Sequence, residues 1–349
     1  MDTLAPHDGQ DETSRAFAAL REREAALEEL HATRLASMAA DMRNQHQASS
    51  SLGRLDELLS RDPDLRPLVN AWSIRREALA IAAAEQLASD ETRLATLLAG
   101  GNGIFGKQDR TAQDIHAALA TVTEWGEGAP TAADIQELWE TCDAGNVRAR
   151  GPDFAWKLEQ DCIRAAETLR AMRERAEPFT ASETTRSLIA GGGFHGLSGR
   201  VARIASLHSV RRGFGCGYVF VGISGELASR PERLASAIED QNLFFGLYLE
   251  AVAEAAARTY AAALKISRLS KELVDMCRPE RTTSSLGAAV RSLLRNPVTS
   301  QVRLSRDVGC TDRGAAILIE RLVTSGCLQP LEGNTQKNRC FICHKALNL

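Results

Sequence analysis

Residues 191–205 have the sequence GGGFHGLSGRVARIA: three glycines, a short Gly/Ser loop and then a helix-like segment. Such a turn can hold a phosphate, because backbone N–H groups at a helix N-terminus point at the anion and the helix dipole favours its charge. Arg200 and Arg203 lie three residues apart, on one face of the predicted helix. They could bind an anion or a nucleotide, or serve only as structural ion-pair partners. The candidate anion-binding residues here are Ser198, Gly199, Arg200 and Arg203.

The composition around this stretch is that of an ordinary globular protein. The chain has 349 residues, of which 44% are hydrophobic and 25% are charged, and this length is enough for roughly two domains. Aromatic residues make up only 5%, and alanine is abundant, which favours helices packed through small aliphatic side chains. The net charge of −3 gives the whole chain no basic character that would indicate nucleic-acid binding.

Targeting and membrane segments are not expected. The N-terminal sequence MDTLAPHDGQDETS is acidic and polar and has no apolar region of a signal peptide. No run approaches the ~18 apolar residues of a transmembrane helix. The eight cysteines are scattered along the chain, which favours reduced thiols over a disulfide framework. We therefore expect a cytoplasmic protein without a membrane partner.

Hydrophobic periodicity predicts mostly helices. Residues 14–45 carry apolar residues at mixed three- and four-residue steps, which predicts an amphipathic helix that contacts a partner or a second copy of the chain. We therefore expect a homodimer. Residues 46–53 are predicted to be a linker, and residues 65–99 a helical stretch interrupted by a proline. Residues 213–225, GFGCGYVFVGISG, form the one clear β-like segment, and residues 231–277 are strongly helical.

The C-terminal segment is the most informative part of the sequence. Residues 285–297, 298–308 and 312–326 predict three helices, with a tight glycine turn before the third. Residues 327–342 then predict a strand, a polar turn and a second strand. Two helices, a short turn, a third helix and a β-wing are the order of a winged helix-turn-helix.

The charge of this segment supports DNA binding. Residues 278–349 contain eleven Lys and Arg against five Asp and Glu, a net charge of +6 in a chain that is acidic overall. A local basic module is typical of phosphate contact, so double-stranded DNA is the expected partner. The alternative is a winged helix used only for protein contacts. The predicted DNA-binding residues are Thr311 and Arg313 on the third helix, and Lys337 and Arg339 on the wing.

Two short motifs resemble cofactor sites but are incomplete. Residues 101–107, GNGIFGK, match the phosphate-loop pattern, yet Gln108 stands where Ser or Thr would hold magnesium, and the loop follows a helix. Residues 340–344, CFICH, have haem-attachment spacing but lie in the predicted wing strand, and a fourth zinc ligand is not evident nearby. No metal site is predicted, and no cofactor is expected unless ATP or another nucleotide binds at the 191–205 loop.

The segment FHGLSGRVARIA resembles the signature loop of the Fic (filamentation-induced-by-cAMP) superfamily, HPFxDGNGRxxR. Aligning the two places Gly199, Arg200 and Arg203 on the family's glycine and two arginines. The family's histidine falls on Gly192 and its acidic residue on Gly196. In the family, that histidine deprotonates the target hydroxyl and the acid holds the metal on the nucleotide phosphates, and glycine can do neither. The resemblance therefore implies a degenerate site without catalytic residues.

Other segments are similar to the family as well, so that the resemblance covers roughly residues 70–345. Residues 75–86, RREALAIAAAEQ, resemble its inhibitory helix, with Glu85 on the inhibitory glutamate. In active members this glutamate pairs with the second loop arginine, which implies a contact between Glu85 and Arg203. The order of segments is most similar to uncharacterised, often plasmid-borne rhizobial proteins that join a degraded Fic-like domain to a helix-turn-helix.

The resulting expectation is a mainly α fold: a Fic-like helical core with a small β segment, followed by a winged helix-turn-helix. Residues 1–50 would form an acidic tail and amphipathic helix, residues 51–277 the degenerate Fic-like domain, and residues 278–349 the DNA-binding domain. The expected function is a transcriptional regulator or DNA-binding accessory factor without enzymatic activity. The alternatives are a Fic-type nucleotidyl or phosphoryl transferase with an altered loop, and an antitoxin-like or scaffolding partner.

Overall fold

The computed structural model describes residues 9–101, 105–125, 128–143, 153–190, 197–277, 285–331 and 339–349. Within these ranges the chain is mainly helical and carries one small three-stranded sheet, as expected. Three residues that matter to the sequence interpretation, Gly192, Gly196 and Lys337, lie outside the described residues. No helix in the described ranges has the length and apolarity needed to cross a bilayer.

The helices before the sheet are α1 (Gly9–Arg61), α2 (Arg66–Ala84), α3 (Glu91–Leu98), α4 (Lys107–Glu124), α5 (Ala132–Asp143), α6 (Phe154–Glu174), α7 (Pro178–Ala190), α8 (Gly199–Gly213), α9 (Ser224–Ala228), α10 (Pro231–Glu239), α11 (Gln241–Met276) and α12 (Ser285–Arg295). The remaining elements are β1 (Val298–Ser300), α13 (Gln301–Val308), α14 (Asp312–Thr324), β2 (Gln329–Pro330), β3 (Cys340–Ile342) and α15 (His344–Leu347).

The long helix α11 is the centre of the fold. It contacts α1, α2, α7, α9, α10 and α12, and most of its alanines are buried, which lets the surrounding helices approach closely. The strongly helical stretch 231–277 is in fact two helices. They separate at Asp240, whose carboxylate accepts hydrogen bonds from the backbone N–H groups of Asn242 (2.8 Å) and Leu243 (3.2 Å) and so caps α11.

The N-terminal helix corrects two expectations. The predicted linker at residues 46–53 is wrong, because α1 continues through it to Arg61. Ala48, Leu52 and Leu55 recur at helical spacing and are buried, in a helix that packs along α11, so the polar run between them lies on the exposed side of one helix. The proline of the 65–99 stretch does not interrupt a helix either: Pro67 lies in the first turn of α2, where its missing N–H costs nothing.

The expected β segment at residues 213–225 is also wrong. The structure describes all of these residues, and none of them belongs to a strand. Side chains of α2 take the hydrogen bonds that a neighbouring strand would have made. The Asn70 amide accepts from Phe220 N (2.8 Å) and donates to Tyr218 O (3.3 Å), and Ser73 Oγ donates to Phe220 O (2.7 Å). Residues 214–223 are therefore an irregular connection between α8 and α9 that side chains of α2 hold in place.

Residues 285–349 contain the sheet. The order along the chain is α12, β1, α13, α14, β2 and β3, and the strand order in the sheet is β1–β3–β2, with both pairs antiparallel. The predicted second helix is shorter than expected, because residues 298–300 form β1 and pair with β3. Gly309 (φ +70°) makes the tight turn between α13 and α14, in a conformation that favours glycine.

This C-terminal part is packed firmly on the helical part. Arg75 of α2 is fully buried and donates to the carbonyl of Arg295 at the end of α12. The buried Asn296 amide donates to Ala95 O of α3 (3.0 Å) and to Val298 O of β1 (2.8 Å). Apolar residues of both parts belong to one continuous core. Packing on the helical part therefore determines which faces of α13 and α14 are exposed to solvent.

Candidate functional site

The N-terminus of α8 lies at the end of the glycine-rich stretch and is capped from within the chain. Ser198 is the N-cap residue, and its hydroxyl accepts a hydrogen bond from Val201 N (3.3 Å). Gly199 is the first residue of the helix. The Ser198 hydroxyl and one of the N–H groups expected to face an anion therefore satisfy each other.

A buried carboxylate reaches the loop itself. Asp161 of α6 is almost fully buried, and its Oδ2 accepts a hydrogen bond from Leu197 N (3.1 Å). Arg164 lies 3.4 Å from the other carboxylate oxygen. An internal anion thus binds an N–H group that a phosphate would use. Sequence analysis missed Asp161, although a signal exists: it lies at helical spacing on the same face as the buried Leu158, Cys162 and Ala165.

Arg200 is the best-connected arginine at this site. Its Nε lies 3.0 and 2.9 Å from the two carboxylate oxygens of Glu85, a terminal nitrogen also donates to Glu85, and the other donates to Cys142 O (3.1 Å). The side chains of Arg200 and Glu85 are 14% and 24% exposed. Glu85 lies at the C-terminal end of α2, followed by Gln86 in the left-handed conformation (φ +59°). This charge-assisted, forked contact uses the donors with which Arg200 would hold a phosphate.

The predicted pairing of Glu85 with Arg203 is therefore wrong: Glu85 contacts the first arginine of the pair. Within the described ranges, the guanidinium of Arg203 forms no ion pair. The reason is the register of the two helices, because Arg203 lies one turn further along α8 and acts electrostatically on Glu77 instead. Arg203 also lines a mostly apolar cavity of about 280 Å³, together with Ser224 and residues of α7, α9 and α10.

Glu77 of α2 is a second buried carboxylate that sequence analysis missed. Burial raises its pKa, and hydrogen bonds from Ser224 and the charges of Arg258 and Arg203 oppose that shift. Its Oε1 accepts from Ser224 N at 2.9 Å. A Cβ at Gly222 would overlap the Glu77 carboxylate, so glycine is required where the connection between α8 and α9 passes it. Glu77 therefore holds the start of α9 against α2.

The C-terminal part presents a different surface. Thr311 caps α14, and its hydroxyl accepts from Gly314 N (3.2 Å). Arg313 is exposed in the first turn of α14. Arg339 is exposed just before β3, with its guanidinium 5.6 Å from the ring of Phe341. Thr311 is therefore occupied as a helix cap, whereas the two arginines face solvent.

A cleft of about 980 Å³ runs beside this surface. It is lined by α13, one side of α14, the strands β2 and β3 and the end of α3. Three arginines line it: Arg303, Arg306 and Arg339. Arg303 is partly buried, with Asp307 3.4 Å away, whereas Arg306 is exposed. Within the described residues, no cluster of three or more His, Cys, Asp or Glu side chains could hold a metal.

A solved protein structure is similar to this chain. The chain is similar to the crystal structure of a Fic family protein from Desulfovibrio desulfuricans G20, with 14% sequence identity and a TM-score of 0.48. The match covers 87% of this chain and 95% of that chain. No family model matches the sequence, and no curated protein matches it either.

Proposed function

We propose that the protein is a DNA-binding regulator in which residues 285–349 form a winged helix-turn-helix. The observation that carries this proposal is the order α12–β1–α13–α14–β2–β3 with the sheet order β1–β3–β2. In this arrangement α14 is the recognition helix, and β2 and β3 are the strands of the wing. The capped, exposed N-terminus of α14 is the end that faces DNA in helix-turn-helix proteins.

The distribution of charge supports a polyanionic partner. Arg306, Arg313 and Arg339 are exposed and, within the described residues, none of them forms an ion pair. Arg313 lies on the recognition helix, while Arg306 and Arg339 border the cleft beside it. Exposed arginines can neutralise backbone phosphates, which supplies most of the affinity of non-specific DNA binding.

The helical part is proposed to be a degenerate Fic-like domain without transferase activity. Gly192 and Gly196 stand where the family has its base and its metal ligand, and neither glycine can supply a side chain for those roles. Arg200 is held by Glu85 and by Cys142 O, and Leu197 N by Asp161. Under this proposal the domain acts as a rigid platform for the DNA-binding module, and any nucleotide would have to displace internal contacts.

A second candidate function, contact with a protein, is favoured by a specific observation. Val302 on α13 and Ile317 on α14 are 58% and 52% exposed. Asp312 and Glu320 lie on the exposed side of α14 as well, where carboxylates would repel phosphate. A surface with exposed aliphatic side chains between charges is typical of protein interfaces.

The test compares two arginine variants on a mixed-sequence DNA duplex of about 30 base pairs. Arg313→Ala removes one exposed cation from α14. Arg170→Ala removes one from the exposed side of α6, a helix that packs on α5, α7 and α8. Affinity is measured by fluorescence anisotropy between 50 and 200 mM salt.

We expect Arg313→Ala to weaken binding several-fold and to reduce the slope of log K against log salt by about 0.9, the value for one lost phosphate contact. Arg170→Ala should match the unmodified protein. No DNA binding by the unmodified protein, or equal slopes for both variants, would overturn the DNA-binding proposal and leave the protein-contact function.

A further inference from the structure

Residues 18–39 of α1 form an arm in which no residue is buried. Contact between α1 and α11 extends at least to Asp41, whose carboxylate lies close to Gly246, and includes the buried residues Ala48 to Leu59. Every residue from 18 to 39 is exposed. The segment 18–42, here called the arm, spans about 37 Å at 1.5 Å per residue.

The arm carries a stripe of apolar side chains. At 100° per residue, five of them fall within a sector of about 80°. Most helical stability in proteins comes from packing of such a face, and a row of exposed apolar side chains along one helix face is typical of an interaction surface. The stripe consists of Leu20, Leu27, Leu35, Met38 and Met42, which are 55–71% exposed.

The stripe is self-complementary when two copies run antiparallel. With residue numbers that add to 62, Leu20 lies opposite Met42 and Leu27 lies opposite Leu35. His31 then meets its own counterpart on the twofold axis. In this register Glu28 and Arg34 come to the same height but lie on opposite flanks of the seam, so the apolar side chains alone define the pairing.

A parallel arrangement fits less well. Glu24 falls within the apolar sector, and in a parallel pair it would meet Glu24 of the second copy. In the antiparallel register Glu24 meets Met38 instead, and the like-charge contact is avoided.

We propose that the arm forms an antiparallel two-helix contact with the arm of a second copy, with the twofold axis at His31. The interface is isologous, because the N-terminal half of each arm contacts the C-terminal half of the other arm. It is independent of the DNA-binding proposal, since it involves neither α14 nor the cleft.

The first experiment measures mass in solution without DNA, by analytical ultracentrifugation from 1 to 100 µM. The unmodified protein should sediment at twice its chain mass of 37.8 kDa. Leu27→Glu combined with Leu35→Glu should sediment as a monomer throughout this range. Ala25→Glu combined with Ala36→Glu adds the same two charges on the opposite face of the arm, and should leave the dimer intact.

A second experiment tests the direction of pairing. The first native cysteine is Cys142, so the arm has no thiol of its own. Mild oxidation should cross-link His31→Cys between two copies, because residue 31 meets its counterpart on the axis. Leu20→Cys should not cross-link, because its opposite residue is Met42. A monomeric unmodified protein, a dimer that survives the Leu27/Leu35 double variant, or cross-linking at Leu20→Cys would each overturn the proposal.

Discussion

Arg200 at the start of α8 and the exposed arginines Arg306 and Arg313 of residues 285–349 have opposite surroundings. Arg200 is 14% exposed and is held by the carboxylate of Glu85 and by Cys142 O. Arg306 and Arg313 are exposed and form no ion pair with any residue that the structure describes. The same side chain is a structural element where the chain supplies its own anion, and a candidate ligand contact where it does not. A glycine-rich loop followed by a helix with arginines, as at residues 191–205, does not by itself distinguish these two situations.

The largest expected effect comes from replacing Arg200 and Arg203 of α8 one at a time. Removing one partner of a buried ion pair costs about 3–5 kcal/mol. Because Glu85 and Arg200 are partly exposed, we expect Arg200→Ala to lower the free energy of unfolding by about 2–3 kcal/mol. Arg203→Ala, on the same helix but without an ion pair in the described residues, should cost less than about 1 kcal/mol. Urea unfolding followed by circular dichroism measures both.

Equal losses for the two variants, or a larger loss for Arg203→Ala, would contradict the assignment of Glu85 to Arg200. Glu167→Ala provides the control for a surface carboxylate, since Glu167 is exposed on α6 and should change stability by no more than about 0.5 kcal/mol.

Burial of a histidine in α8 also makes the stability of the fold depend on pH. Burial lowers the pKa of His208 in α8 to about 4, and the charges of Arg212 and Arg211 add to this. His208 is 2% exposed and packs edge-on against Trp125. The folded protein therefore resists a proton that the unfolded chain accepts below pH 6.5, so stability is full above that pH and falls towards pH 4. The loss is at most about 3 kcal/mol.

His208→Phe keeps a ring beside Trp125 and cannot titrate, so its stability should change less between pH 6.5 and 4 than that of the unmodified protein. His344→Gln alters an exposed histidine and should leave the pH profile unchanged. Identical profiles for His208→Phe and the unmodified protein would show that the burial of His208 does not govern acid stability.

The smallest expected effect concerns catalysis. We expect no transfer of labelled AMP from ATP to protein with magnesium or manganese, because the proposed degenerate loop lacks a base and a metal ligand. Gly192→His alone should not restore it, since Gly196 still offers no ligand. Glu85→Ala should destabilise the fold without switching on an activity. Clear transfer of AMP by the unmodified protein would contradict the contrast between Arg200 and the exposed arginines. It would mean that a nucleotide binds at the start of α8.

Sequence patterns predicted many individual elements correctly. They did not predict which elements pack against each other. The start of α8 was predicted from its Gly/Ser loop and the start of α14 from the glycine turn before it, since helix ends are set by local interactions. The capping role of Thr311 was not predicted. The linker at 46–53 was wrong because the burial of Leu52 and Leu55 depends on α11, nearly 200 residues away. The β segment at 213–225 was wrong because Asn70 and Ser73 of α2 take its backbone hydrogen bonds.

The sequence by itself determined that the protein is mainly helical, where many of its helices begin and end, and that residues 278–349 carry a net positive charge. These properties follow from helical periodicity, capping residues and composition, all of which act over a few neighbouring residues. Only the tertiary structure decided that Glu85 holds Arg200 and not Arg203. That choice depends on the register between α2 and α8, two helices whose contacting residues are 115 positions apart. A helical pattern specifies which face is buried, but it does not specify which turn of another helix that face will meet.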